Sequence, residues 1–247
     1  MGFNIIYYIC IACPTVKRTL AMIEEYVSHG ADAFQIDMPS KNPYSETEFV
    51  KSMMQSARDE ELNYDVYMTA IREIRKKYPK LKIHIVVYDD VINSIGLEKF
   101  CYFCREIDAL SLMIPGSTSE NLLFLELNNF RVFRIVTHEL TEVRIQLACA
   151  VGKNGIVSLR NRKPGETDIP GYETFERKYS YLRSRGITAP VYSVFGISTK
   201  VELANIRNSG AQGAIIGNVL MKLWDDKISF CKLIDEFQSL ADNNLLS

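Results

Sequence analysis

No stretch of this 247-residue chain is long and apolar enough to span a bilayer. The longest uninterrupted apolar run, Ile5 to Cys13, is nine residues and stops at Pro14, where a spanning helix needs about 20. The run also lacks a basic lead and a small-residue cleavage site, so it reads as a strand of a cytoplasmic protein and not as a secretory signal. Excess charge of either sign is missing too. With 29 basic and 30 acidic side chains, net -1, there is no bulk field to gather nucleic acid or an anionic membrane. No low-complexity linker interrupts the pattern, so the simplest expectation is one domain over residues 1–247.

Metal-binding patterns are equally scarce. The three histidines, His29, His84 and His138, show no ligand spacing, and no metal site is assigned. Six cysteines include two C-x-x-C pairs, Cys10 with Cys13 and Cys101 with Cys104, but the pairs stand 88 residues apart, whereas zinc ribbons space theirs by about 15–20. Cys101 and Cys104 also share a helical apolar pattern with Phe100 and Phe103. Packed, reduced thiols are the reading for all of them.

What the chain does have is alternation. Short runs rich in Ile, Val, Tyr and Phe mark eight strands: Ile5 to Ala12, Ala33 to Met38, Lys82 to Tyr88, Ala109 to Ile114, Val132 to Thr137, Gly155 to Leu159, Pro190 to Val194 and Gly213 to Ile216. Nearly every gap carries helical periodicity: Thr15 to Ser28, Glu46 to Arg58, Tyr64 to Lys77, Leu97 to Arg105, Ser119 to Leu127, Glu139 to Ala150, Tyr172 to Arg185 and Thr199 to Asn208, then Lys227 to about Leu240. Eight βα units in about 250 residues match a (β/α)8 TIM barrel. A doubly wound sheet would show a glycine-rich dinucleotide turn after its first strand, and Ala12-Cys13-Pro14-Thr15 is not one.

Barrels do their chemistry where strands run into the following loops. In the second strand, alternation puts Gln35 and Asp37 opposite Phe34, Ile36 and Met38, and the apolar set must meet the outer helices. Asp37 therefore points into the barrel mouth, where a carboxylate suits general acid or base work. In the next loop Ser45 and Glu48 form a capping box, which would leave Glu46 in the first helical turn. Of the adjacent acids Asp89 and Asp90 after strand three, at most one enters the mouth. After strand six come Arg160, Arg162, Lys163 and Gly165, after strand seven Phe195-Gly196-Ile197-Ser198, and after strand eight Gly217-Asn218. Cations, glycines and helix starts in these loops suit a phosphate. Ser198 doubles as a helix N-cap.

Three ordered stretches carry a resemblance to a known family. They are Cys13-Pro14 through Tyr26-Val27-Ser28-His29-Gly30-Ala31-Asp32-Ala33 to Pro39 and Pro43; Tyr88 followed by Gly96-Leu97-Glu98-Lys99-Phe100; and Val194-Phe195-Gly196-Ile197-Ser198 continuing through Gly210-Ala211-Gln212-Gly213-Ala214-Ile215-Ile216-Gly217-Asn218. Together the chain resembles the tryptophan synthase alpha subunit family. The third stretch is similar to its G-F-G-I-S and G-A-D-G-x-I-V-G-S pair. The resemblance implies a barrel that cleaves indole-3-glycerol phosphate by a retro-aldol reaction, usually passing indole to a beta subunit, with no metal or organic cofactor. It assigns phosphate binding to Gly165, Gly196, Ser198, Gly217, Asn218 and Arg160.

The catalytic side departs from the family. Its acid/base glutamate falls on Gln35, which cannot transfer a proton, and its loop aspartate falls on Glu46. The strand-six tyrosine becomes Ile156 and the threonine that orients the loop aspartate becomes Pro164. The helix that the family places before strand one is absent. Asp37 stands where the family has glycine, one pleat and about 6–7 Å nearer the mouth than Gln35. The expectation is that Asp37 is the general acid/base, Glu46 bonds the departing group, and Tyr8, Tyr88 and Asp90 complete the substrate pocket. A carboxylate in the glycine's place narrows that pocket, so a smaller or more polar ligand is one alternative. Others are a barrel that has lost catalysis and partners a beta-like subunit, and another phosphosugar lyase or isomerase.

Overall fold

The computed structural model describes residues 2–115, 120–161 and 167–241. Among these, eight strands form one sheet: β1 (Asn4–Cys10), β2 (Ala33–Asp37), β3 (Lys82–Val86), β4 (Ser111–Met113), β5 (Phe133–Val136), β6 (Ile156–Arg160), β7 (Val191–Val194) and β8 (Gly213–Ile216). The order is β4-β3-β2-β1-β8-β7-β6-β5, and a parallel bridge from Leu112 to Val132 leads from β4 toward β5. This is the (β/α)8 barrel the alternation predicts. The helices are α1 (Val16–Ser28), α2 (Glu48–Glu60), α3 (Tyr64–Lys77), α4 (Asp89–Ile95), α5 (Leu97–Glu106), α6 (Glu120–Leu127), α7 (Glu142–Ala150), α8 (Phe175–Ser184), α9 (Lys200–Asn208), α10 (Asn218–Met221) and α11 (Lys227–Gln238). The chain divides into two compact units, Tyr7–Val132 and Met1–Ile6 with Phe133–Ser247.

In the first unit, helix α1 shows how the outer layer forms. The Thr15 side chain accepts from the Arg18 N–H and caps the start. Thr19, Met22, Ile23 and Tyr26 then recur at helical spacing and are buried. Gly30, at φ +88°, supplies the left-handed turn that ends the helix. Tyr26 closes on Tyr7 of β1 and Phe34 of β2, with ring centroids 5.1 and 5.6 Å away. Each such buried aromatic contributes about 1.5–3 kcal/mol.

With Tyr7 and Phe34 turned to the helices, the alternate residues face the barrel interior. The register aligns Tyr8, Gln35, His84 and Ser111 in one row, and Cys10, Asp37, Val86 and Met113 in the row above. In the lower row His84 Nδ1 lies 2.6 Å from the Ser111 hydroxyl. Burial, with the charges of Arg131 and Lys82 adding to it, pushes the imidazole down to about 4. The folded protein thus keeps His84 neutral, while the unfolded chain protonates it near 6.5. Stability is lost as pH falls from 6.5 toward 4, by about 3 kcal/mol from this group at one pKa unit per 1.36 kcal/mol. Urea unfolding of His84→Gln at pH 7 and pH 4.5 should show that much of the pH dependence removed; an unchanged dependence would refute the assignment.

In the second unit the start of β8 needs a glycine. A Cβ on Gly213 would sit 2.2 Å from the Asn4 carbonyl oxygen, at the point where Asn4 donates its N–H to Gln212.

Candidate active site

Asp37 is the last residue of β2, and its carboxylate is fully buried. Tyr8, one row below on β1, donates its hydroxyl to Asp37 Oδ2 at 2.9 Å. Oδ1 has no hydrogen-bond partner among the described residues. A buried carboxylate oxygen left unsatisfied is costly in a folded protein and is characteristic of sites awaiting a ligand. Burial, and next the negative charge of Glu46, hold Asp37 well above the ordinary carboxylate range, against a smaller opposing effect of the Tyr8 hydrogen bond. Asp37 is therefore an acid that keeps its proton well beyond the usual titration range.

Glu46 arrives on the loop between β2 and α2. The cap of α2 is Thr47, whose side chain accepts from the Val50 N–H. The N-cap thus lies two residues beyond the expected Ser45, and with Val50 at its N3 position it is a simple cap in place of the expected Ser45–Glu48 capping box. Glu46 lies ahead of the cap and outside the helix. Its side chain turns inward, buried, to accept from the Tyr88 hydroxyl at 3.1 Å. The Tyr44 ring packs edge-on against Tyr88 at 5.3 Å, and its hydroxyl bonds the Pro115 carbonyl. Tyr8 and Tyr88 are both raised, first by burial and then by the two carboxylates, so both phenols stay neutral.

Two further expected residues have protein partners of their own. Gln35, in the row below Asp37, is buried and points its amide nitrogen at Met113 Sδ, 3.7 Å away. Asp90 gives both carboxylate oxygens to the β2–α2 loop: Oδ1 to the Ser40 hydroxyl at 2.8 Å and Oδ2 to the Lys41 N–H at 2.7 Å. Its neighbour Asp89 accepts from Asn121. The thiols of Cys10 and Cys13 lie 2.9 Å apart beside this cluster, both buried and reduced. Burial, with the contact to Cys13, raises Cys10 well above the usual thiol range.

The second unit holds the expected anion residues. Arg160 ends β6, its guanidinium 5.7 Å from the Phe195 ring centroid. Asn161 donates to the Ser193 hydroxyl and the Phe195 carbonyl, which ties the β6 loop to the β7 loop. Gly196, at φ +69°, and Asn161 line a cleft of about 740 Å³ whose wall includes Lys178 and Asp168. Gly217 precedes the short helix that Asn218 begins. Ser198 is already engaged: its N–H and hydroxyl both donate to Glu202, as do those of Thr199. Burial works to raise Glu202, but these bonds outweigh it and hold the carboxyl below its ordinary range. The cap of α9 is Thr199 in a full capping box with Glu202. Gly165, with Arg162, Lys163 and Pro164, lies outside the described residues.

Sequence reasoning passed over three participants. Tyr44 and the loop grip of Asp90 depend on partners 71 and about 50 residues away, which no local pattern exposes. The Thr199-x-x-Glu202 capping box was legible by spacing alone.

The profile of the family described as tryptophan synthase alpha chain matches residues 2–240. The tryptophan synthase alpha chain of Buchnera aphidicola subsp. Baizongia pistaciae is 23% identical over 236 residues, covering 92% of this chain and 86% of its own. The solved tryptophan synthase subunit alpha of Legionella pneumophila superposes with TM-score 0.80 at 17% identity, covering 98% of this chain and 93% of its own. A chain of M. tuberculosis tryptophan synthase superposes with TM-score 0.79 at 16% identity, over 96% and 92%.

Proposed function

Because the chain belongs to the tryptophan synthase alpha chain family, we propose that it is a carbon–carbon lyase cleaving indole-3-glycerol phosphate, or a close phosphorylated analogue, to indole or its analogue and glyceraldehyde 3-phosphate. The observation that carries this reading is Asp37, a fully buried carboxyl with one oxygen unengaged among the described residues, held above the ordinary carboxylate range by burial and then by the charge of Glu46. The reaction needs a proton delivered to indole carbon 3 and another removed from the adjacent side-chain hydroxyl as the C–C bond breaks. Asp37 performs both in turn: the acid protonates the ring carbon, and the resulting carboxylate takes the hydroxyl proton as the aldehyde forms. Glu46 accepts a hydrogen bond from the ring N–H and stabilises the positive charge that the first step creates. No cofactor enters the balance.

The phosphate is assigned to the loops after β6, β7 and β8, through Arg160 and the backbone around Gly196, Gly217 and Asn218. Ser198 contributes only if the ligand displaces Glu202, since both its donors are taken. Asn218→Asp places a negative charge at this point and should weaken glyceraldehyde 3-phosphate binding by about 10-fold or more, equivalent to 1.4 kcal/mol per decade. Isothermal titration measures it, and equal affinity in the two proteins would remove Asn218 from the site.

The direct test of the whole reading is indole release from indole-3-glycerol phosphate by the purified protein, alone and with a tryptophan synthase beta subunit as the proposed partner. Release, stimulated by the beta subunit, supports both enzyme and partnership. Gln35 in the place of the family's glutamate favours a second reading, a barrel that binds a phosphorylated ligand and a beta-like subunit without cleaving. Binding of glyceraldehyde 3-phosphate with no indole release would select it.

A further inference from the structure

We infer that Asp90 is a positioning residue which holds the β2–α2 loop closed and thereby delivers Glu46 to Asp37. The inference rests on the reading of Glu46 as the partner of Asp37. Its evidence is a continuous chain of bonds. Asp90 grips the loop at two successive residues, the hydroxyl of Ser40 and the N–H of Lys41. The same Ser40 oxygen accepts the N–H of Asn42 at 3.0 Å. The Asn42 carbonyl accepts the N–H of Tyr44, and the Pro43 carbonyl that of Glu46. These links tie the loop together from Ser40 to Glu46.

The far end of the chain is held by the same junction that holds the near end. Tyr88 and Asp90 are two residues apart where β3 passes into α4, Tyr88 being the residue before the helix and Asp90 lying in its first turn. Tyr88 takes the Glu46 carboxylate, and Asp90 takes the root of the loop that carries it. Tyr44 braces the middle, its ring on Tyr88. A glutamate on a ten-residue connection has many accessible positions; three attachments to one rigid strand end reduce them to one. Both oxygens of Asp90 are engaged in these two grips.

The test reads the loop without requiring turnover. Glu46, Tyr8 and Cys13 are the ionisable groups that act on Asp37, and an opened loop removes the carboxylate whose charge raises it most and admits water. In protein carrying 13C-labelled aspartate, the Asp37 carboxyl resonance, identified by its absence in Asp37→Asn, is titrated. Asp90→Ala should lower its midpoint by about one unit or more, as Glu46→Gln does. Asp90→Asn, which keeps one acceptor oxygen, and Ser40→Ala, which cuts one of the two grips, should fall between. An unchanged midpoint in a folded Asp90→Ala protein overturns the inference; if that variant does not fold, unchanged midpoints in Asp90→Asn and Ser40→Ala overturn it equally. Where the wild type cleaves substrate, kcat of Asp90→Ala falls about 10-fold or more with KM nearly constant. A wild type that releases no indole defeats the proposed reaction and leaves the titration result standing.

Discussion

Replacing Asp37 by asparagine should lower turnover of indole-3-glycerol phosphate by about 10²–10⁴-fold, the usual contribution of a positioned acid/base, while the protein melts no lower than wild type at pH 7. The two halves of this expectation have one cause. The folded state holds the Asp37 proton far above the 3.8 at which an unfolded chain releases it. Between those two values the native protein binds more protons than the unfolded chain, so stability is fully present below 3.8 and is lost as pH rises toward the folded midpoint. At neutral pH the buried acid is a burden that the activity requires, and asparagine removes it, keeping an oxygen for the Tyr8 hydroxyl. Calorimetry across pH 3.5 to 8 alongside the indole assay tests both parts. A variant that cleaves at the wild-type rate would eliminate Asp37 as the proton carrier, and one that melts well below wild type at neutral pH would make it a structural residue.

The largest stability effect is expected at Lys178. This lysine of α8 is 2% exposed and lies 2.6 Å from Asp168, itself 9% exposed, in the segment leading from β6. Lys178→Ala removes the buried cation of this pair, a change that costs about 3–5 kcal/mol. For a chain of this size that lowers the melting temperature by roughly 6–20 °C. The double variant Lys178→Met with Asp168→Leu should recover most of the loss, because neither desolvated charge remains. Urea unfolding of both proteins measures it; a single-variant loss below about 1 kcal/mol would equate the pair with an exposed one.

The barrel was legible because strand and helix periods alternate cleanly along the chain. Tyr64–Lys77 and Gly213–Ile216 were read to their ends. Helix α4 was not, since seven residues opening on two aspartates look like a polar loop until their apolar partners Val91 and Ile92 are seen packed. Asp37 was legible from parity: its neighbours Phe34 and Ile36 had to meet helices, so it could not. What parity does not supply is its environment, since the approach of Glu46 depends on a loop fold held by Asp90 from the first turn of α4. Lys178 escaped for a related reason. On an amphipathic helix a lysine is ordinarily solvated, and only the arrival of Asp168 makes its burial tolerable.

The row beneath Asp37 has a consequence of its own. Tyr8, Gln35, His84 and Ser111 form a polar plinth that carries no charge near neutrality, the imidazole having been pushed down to about 4. The acid pair above it is thus tuned chiefly by burial and by the loop, and the pull from below comes from the Tyr8 hydroxyl, which donates to Asp37 and works to lower it. A permanent cation installed at His84 or Ser111 in that lower storey would draw Asp37 downward from beneath, so the acidity of this site can drift through residues outside the proposed substrate pocket.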